Sequence, residues 1–236
     1  MSVALVTGGS RGLGNALAGA LLAHGWSVVT DARKSAELEA AALELRSGLP
    51  AGAELRTLTG DMTDADHREA LVAVAADLGG LDLVVNNAGI LGPSPQPRLA
   101  DYPLERLREV YEANTIAALG VLQATLPLLR RSSDPRVLNV TSDASIQAYE
   151  GWGGYGSSKA ALDQLGRVLA VEEPWLRVWT VDPGDMATQM HQEAFPGEDI
   201  SDRPSPQSVV GTLVGLIHSQ RPSGRYTTAD LSERAQ

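Results

Sequence analysis

The chain contains two lysines, Lys34 and Lys159, and the second follows a tyrosine by four residues in Tyr155-Gly156-Ser157-Ser158-Lys159. On a helix that spacing puts both side chains on one face. An ammonium beside a phenol favours the phenolate, so Tyr155 is expected to titrate below its reference of about 10 and to exchange a proton near neutral pH. Ser142 closes the run Val137-Leu138-Asn139-Val140-Thr141. A loop can bring its hydroxyl beside the phenol, to donate to an oxygen that gains negative charge. Asn114 falls inside the helical stretch Leu104 to Leu129, where a helix-disfavouring residue needs a reason. Each has a plain structural alternative: a core aromatic for Tyr155, an N-cap for Ser142, a tolerated surface residue for Asn114.

A second group lies near the N-terminus. Thr7-Gly8-Gly9-Ser10-Arg11-Gly12-Leu13-Gly14 follows the first apolar run and opens the first helical one. Glycines there allow a tight turn and close backbone approach, and the helix N-terminus offers free N–H groups to a pyrophosphate. Asn86-Asn87-Ala88-Gly89 follows another strand, at the edge where open parallel sheets bind ligands, although an ordinary Asn/Gly turn has the same composition. Asp61, placed at the end of the third strand, can accept from an adenine amino group, whereas Asp64 suits a helix N-cap.

These groups need a frame. Short runs at Val3–Val6, Trp26–Thr30, Leu55–Leu58, Leu81–Val85, Val137–Val140 and Val178–Val181 alternate with helical stretches at Ala16–Ala23, Glu37–Leu45, Arg68–Leu78, Leu104–Leu129, Ala160–Val171 and Val209–Ile217. The alternation predicts an α/β fold, a doubly wound parallel sheet between two helix layers in a single domain over residues 1–236. Strands apolar throughout suit a sheet covered on both faces. The stretch from Pro183 to about Pro206 reads as a long loop and is expected to face the substrate.

Composition narrows the function. A formal net charge of -10 without a basic run argues against nucleic acid and anionic membranes as partners. With no cysteine there is no disulfide, thiol nucleophile or thiolate ligand, and no metal site is expected. Met1 leads directly into an apolar strand with no basic leader, and no apolar stretch is long enough for a bilayer, so a cytoplasmic location is expected.

With these residues in place the chain resembles the short-chain dehydrogenase/reductase superfamily, in the branch that carries TGxxxGxG and YxxxK, from about Val3 to about Tyr226. The resemblance implies hydride transfer between a nicotinamide and a carbonyl or secondary alcohol. It implies Asn114, Ser142, Tyr155 and Lys159 as the catalytic set, with Asn114 supporting a water-linked proton relay. Gly8, Ser10, Arg11, Gly12, Leu13 and Gly14 would hold the cofactor phosphates. Asp61, Met62, Asn87, Ala88 and Gly89 would lie beside the cofactor, together with Tyr155, Lys159, Pro183, Gly184 and Thr188. Ser142, Trp152, Met186 and Met190 are the candidate substrate contacts, with His191 and Phe195 nearby. A homodimer or homotetramer is implied, its helices approaching through Ala113, Ala117, Ala118, Ala161, Gly166 and Ala170. A catalytically silent dinucleotide sensor or scaffold is the alternative from another class.

Cofactor preference turns on Thr30-Asp31-Ala32-Arg33-Lys34. An acid ending the second strand would accept from a ribose 2′-OH and repel a 2′-phosphate. Counted from Gly14, the family's acidic position falls on Ala32, and strand alternation turns Asp31 away. Arg33, with Arg11 from the glycine loop, suits a phosphate dianion, so NADP(H) is preferred over NAD(H).

Overall fold

Short runs rich in Val and Leu, which pack well on a pleated surface, become six of the seven strands of a single sheet in the computed structural model, which describes residues 2–233. The strands are β1 (Val3–Val6), β2 (Ser27–Ala32), β3 (Leu55–Thr59), β4 (Leu83–Asn86), β5 (Arg136–Val140), β6 (Arg177–Asp182) and β7 (Gly224–Thr227). The order across the sheet is β3-β2-β1-β4-β5-β6-β7, and every neighbouring pair is parallel. Parallel neighbours require crossovers, and helices supply them: α1 (Gly12–Ala23), α2 (Ser35–Arg46), α3 (Ala65–Asp77), α4 (Leu104–Tyr111), α5 (Ala117–Leu129), α6 (Gly153–Glu172) and α8 (Pro206–Ile217). Short helices α7 (Gln189–Ala194) and α9 (Thr228–Glu233) complete the set. The fold is the Rossmann-like doubly wound α/β domain expected from the sequence.

Alternation along β1 shows how the layers form. Ala4 and Val6 face α1 and α8, against Leu17, Leu21, Val210 and Leu213. Val3 and Leu5 face the other way, toward Leu71 of α3 and Val121 and Leu122 of α5. Both faces are covered, which is why the central strands are continuously apolar.

The sequence expectation fails at the sheet edges. β3 carries Arg56, Thr57 and Thr59 and is half-buried, and β7 is half-buried along its whole length, because an edge strand needs less apolar cover. The stretch Leu104 to Leu129 is also not one α-helix. Between α4 and α5 the chain widens into a π-helical turn over Glu112–Ile116, with Asn114 at its centre. The segment after Pro183 is not all loop, since it contains α7. Several of the small residues assigned to an interface face the chain's own core. Ala117 belongs to a core cluster, Ala118 is buried, and Gly166 lies against Thr180 and Asn139 of the sheet. The large apolar residues exposed along Leu104–Leu129 and α6 are Leu104, Ile116, Val168 and Val171.

The turn after β1 is the tightest joint in the frame. Gly9 donates its N–H to the Asp31 carbonyl at 2.9 Å, and a Cβ on Gly9 would lie 2.0 Å from Thr30 Oγ1. Thr30 cannot simply rotate away, because its hydroxyl donates to the Val6 carbonyl at 2.6 Å. Gly9→Ala is therefore expected to cost about 1–3 kcal/mol through overpacking. Thermal denaturation should show a lower Tm, partly recovered by Thr30→Ala in the same chain; an unchanged Tm for Gly9→Ala would contradict this packing.

Candidate active site

The C-terminal ends of the strands open into a cleft of about 1410 Å³. At one end is the glycine loop. Gly8 has a φ of 72°, a left-handed conformation that side chains disfavour, and it turns the chain so that α1 begins at Gly12 with its free N–H groups toward the cleft. The loop is fixed to β4 through two side chains. Thr7 Oγ1 donates to the Val85 carbonyl and accepts from the N–H groups of Asn87 and Ala88, each at 3.0 Å. Asn87 Nδ2 donates to the carbonyls of Thr7 and Gly8. Asn87, Ala88 and Gly89 line the cleft, as do Ser10, Arg11 and Leu13 of the loop. Gly14 packs beneath Asn87 and the Gly8 carbonyl.

At the end of β2 the Asp31 carboxylate is 1% exposed and folded back onto the loop. Its Oδ1 accepts from the Gly8 N–H at 2.9 Å, and its Oδ2 lies 3.0 Å from His67 Nε2. Arg33 reaches the cleft from the far side of Ala32. Arg11 pairs with Glu37 at 3.3 Å, and Lys34 pairs with the same carboxylate at 2.6 Å. The hydrogen bond from Lys34 and the charges of Lys34 and Arg11 outweigh desolvation and hold Glu37 below the usual carboxylate range. Asp61 and Met62 line the cleft here, but Asp61 lies two residues beyond β3 rather than ending it. Partial burial works to raise the Asp61 carboxyl, yet hydrogen bonds from Thr63 and the nearby Arg33 and His67 charges bring it below its ordinary value. Asp64 caps α3 by accepting from the Asp66 N–H.

At the other end, Tyr155 and Lys159 share the inner face of α6, 7% and 3% exposed. Lys159 Nζ donates to the Val140 carbonyl at the end of β5, 2.9 Å away, and stands 5.7 Å from the centre of the Tyr155 ring. The π turn directs Asn114 toward this pair. Its Oδ1 accepts from Ile90 N–H at 2.8 Å, and its Nδ2 donates to the Ile90 carbonyl at 2.9 Å and to Ser158 Oγ at 3.0 Å. Ser142 caps a short turn over Asp143–Ser145, accepting from Ala144 N–H, and its hydroxyl donates to Asp143 Oδ1 at 2.9 Å. Ser142 is thus an N-cap, the plain structural alternative, and it also lines the cleft. Trp152 packs edge-on against Tyr155, 5.9 Å between ring centres, and also meets Tyr149 and Phe195. Thr188 caps α7, and its methyl lies over Gly12, so the Pro183–Thr188 segment arches across the glycine loop, with Met186 and Met190 lining the cleft.

One expectation is reversed. Burial pushes the Tyr155 phenol above its ordinary value, and the Asp182 and Asp143 carboxylates push it further. Spacing alone could not reveal two carboxylates contributed by other elements. Burial also raises Asp182, against the Gly184 N–H and the Arg225 guanidinium. Arg225 of β7 was not anticipated, yet it donates to the Ser142 carbonyl, to Asp182 and to Asp163 of α6, tying three walls of the site together. The Asp31–His67 pair was missed for the same reason: its partners lie far apart in sequence.

The comparisons with known proteins agree with this geometry. A family model described as short chain dehydrogenase matches residues 2–199. The chain belongs to this family. Its relatives include 1-deoxy-11-beta-hydroxypentalenate dehydrogenase of Streptomyces arenae, 36% identical over 197 residues, or 79% of this chain and 68% of that protein. A short-chain dehydrogenase from Shigella flexneri 2a strain 301, solved in complex with NADP, superposes with a TM-score of 0.89 at 26% identity, over 97% of each chain. An alcohol dehydrogenase from the archaeon Thermococcus sibiricus, complexed with 5-hydroxy-NADP, gives 0.85 at 30% identity over 96% of this chain and 95% of that one. This short-chain dehydrogenase is thus an oxidoreductase by family. Among its described residues no helix is long and apolar enough to cross a membrane, and no group of three or more His, Asp or Glu residues could hold a metal ion.

The buried lysine of this family member carries a stability cost. Burial brings Lys159 down to about 8, against the pull of Asp163. Between about pH 8 and 10.5 the unfolded chain keeps a proton that the folded chain has lost, so this group's contribution to stability improves as pH rises through that window. Lys159→Met removes the penalty and should stabilise the fold at neutral pH by about 3 kcal/mol, less whatever the lost bond to Val140 contributed. Denaturation at a series of pH values should show that advantage shrinking above pH 8. A gap independent of pH would mean that Lys159 is not held against its charge.

Proposed function

We propose that this chain is an NADP(H)-dependent reductase or dehydrogenase, acting on a ketone, aldehyde or secondary alcohol with Tyr155 as general acid and base. The observation that carries the reading is the buried pair of Tyr155 and Lys159 at the end of a cleft whose other end is a glycine-lined helix N-terminus. The cradle suits a dinucleotide. The positive φ of Gly8 and the start of α1 leave N–H groups and a positive dipole end for a pyrophosphate, and Asn87 to Gly89 carry the cleft on toward Tyr155. When bound, the nicotinamide supplies or accepts the hydride.

The chain's own residues handle the proton. Tyr155, held above its ordinary titration range, starts as a phenol and gives its proton to the carbonyl oxygen as that oxygen gains charge. Ser142, lining the same cleft, turns its hydroxyl from Asp143 to that oxygen as a second donor. In alcohol oxidation the transfers reverse, and the Lys159 ammonium stabilises the phenolate across the ring face. Asn114 has its amide committed to Ile90 and Ser158, so its side chain positions the floor under Lys159, leaving its family role in a water relay to other atoms. Trp152, Met186 and Met190 give the substrate end an apolar wall, and the 183–206 segment covers it.

Preference for NADP(H) is supported by the inward turn of Asp31, by Arg11, Arg33 and Lys34 on the rim, and by the two structural neighbours solved with NADP or 5-hydroxy-NADP. Glu37 competes for two of those cations.

Tyr155→Phe should lower turnover about 10²–10⁴-fold, the usual share of general acid catalysis, while dinucleotide binding persists. More than half of wild-type turnover in this variant would end the proposed mechanism. NADPH should give a higher kcat/KM than NADH with carbonyl substrates, and Arg33→Ala should narrow the ratio; an NADH preference in the wild type would overturn the cofactor reading. A homo-oligomer formed through the outer faces of α5 and α6 would cover Ile116, Val168 and Val171. Light scattering at micromolar concentration should then give a multiple of the chain mass, reduced by Val171→Glu.

A further inference from the structure

The acid at the end of β2 is the unusual element of this cleft. Asp31 lines the wall where a ribose would lie and is nearly fully buried, so its charge must be met by the chain. Each carboxylate oxygen has one partner: Oδ1 accepts the Gly8 N–H, and Oδ2 lies 3.0 Å from His67 Nε2, which acts as donor because a carboxylate only accepts. His67 itself is 9% exposed and lies between α3, whose first turn carries it, and the backbone after β3. There Gly60 makes room for its ring, since a Cβ at that position would fall 2.1 Å from Nδ1. Proton transfer to substrate uses none of these groups. We propose that His67 is a positioning residue for nucleotide selection: by holding Asp31 down on the glycine loop it keeps a carboxylate from the ribose 2′ position and leaves that position to Arg33 and Arg11.

The inference rests on the cofactor reading above and adds the residue that makes a 2′-phosphate tolerable beside an acid. With His67 gone, Oδ2 loses its donor. A 2′-hydroxyl can replace that donor and a 2′-phosphate cannot, so the carboxylate then favours NADH and opposes NADPH.

The test needs no carbonyl substrate. Dissociation constants for NADPH and NADH are measured by titration of nicotinamide fluorescence in the wild type and in His67→Leu, His67→Gln, Asp31→Asn and the double variant Asp31→Asn/His67→Leu. His67→Leu should shift the ratio of the two constants toward NADH by about tenfold, the size of one hydrogen bond to a charged group. His67→Gln, which keeps an amide donor, and the double variant, which removes the charge, should both return the ratio toward wild type. Asp31→Asn alone should leave the ratio within about twofold, because a carboxylate already held away opposes the phosphate little. If His67→Leu weakens both nucleotides equally, His67 is merely structural and the inference fails. A tenfold gain for NADPH in Asp31→Asn also overturns it, even if His67→Leu does not fold. A wild type that binds NADH more tightly removes the cofactor reading itself, before any variant is made.

Discussion

The Lys159 ammonium is the constraint around which the Tyr155 end of the cleft is built. A charge 3% exposed survives only where its hydrogen bonds are supplied in advance, and the chain supplies one from the Val140 carbonyl at the end of β5. That single bond requires α6 to lie against the sheet with its inner face small and close. Gly156 lies against the Ala144 carbonyl and Gly166 against Thr180, and a methyl at either position would collide. It also requires a floor beneath the lysine that does not yield. Asn114 provides one by engaging both backbone groups of Ile90 and the Ser158 hydroxyl, and Thr115 adds a bond to the Ser158 carbonyl. The π turn between α4 and α5 sets the angle at which Asn114 meets Ile90 and Ser158.

On the other flank one guanidinium is shared between two carboxylates. Asp182 and Asp163 are both buried, and Arg225 reaches each of them while donating to the Ser142 carbonyl. One guanidinium thereby links β7, the serine turn, the end of β6 and the tyrosine helix. Asp182 in turn accepts from the Gly184 N–H, which starts the segment that arches over the glycine loop. Asp182 is thus shared by the cover of the cleft, through Gly184, and by the field felt by Tyr155.

What could be read from the sequence was whatever depends on neighbours in the chain. Six of the seven strands, six helical stretches, the glycine loop and the Tyr155–Lys159 spacing follow from periodicity, turn chemistry or an i,i+4 spacing, and the structure brings that loop and that pair to one cleft. What escaped depends on partners far apart in sequence. The raised titration of Tyr155 comes from burial and from carboxylates on two other elements, so local spacing gave it the wrong direction. The π turn has no compositional mark other than Asn114 itself. Helix α7, six residues long, is too short to show a period. The small residues of α5 and α6 looked like an interface because size alone does not say which way a helix faces; burial shows that Ala117, Ala118 and Gly166 face inward.

The two ends of the cleft belong to one device because of where the strand order reverses. Successive crossovers carry the chain outward from β1 to β2 and β3 on one side, and from β4 to β5 and β6 on the other, so β1 and β4 are neighbours whose following loops diverge. Divergence opens the crevice that open parallel sheets use for ligands, but it also leaves backbone groups of both loops without sheet partners. Thr7 and Asn87 meet that need from opposite sides. The threonine hydroxyl takes two N–H groups from the β4 loop, and the asparagine amide gives two hydrogens to carbonyls of the β1 loop. The crevice can therefore stay open without losing backbone hydrogen bonds. The glycine loop is held at a fixed distance from Gly89, and Gly89 in turn lies against Asn114 and Lys159. The glycine loop and the Tyr155–Lys159 pair are spaced by this chain of short contacts, anchored where β1 and β4 run side by side.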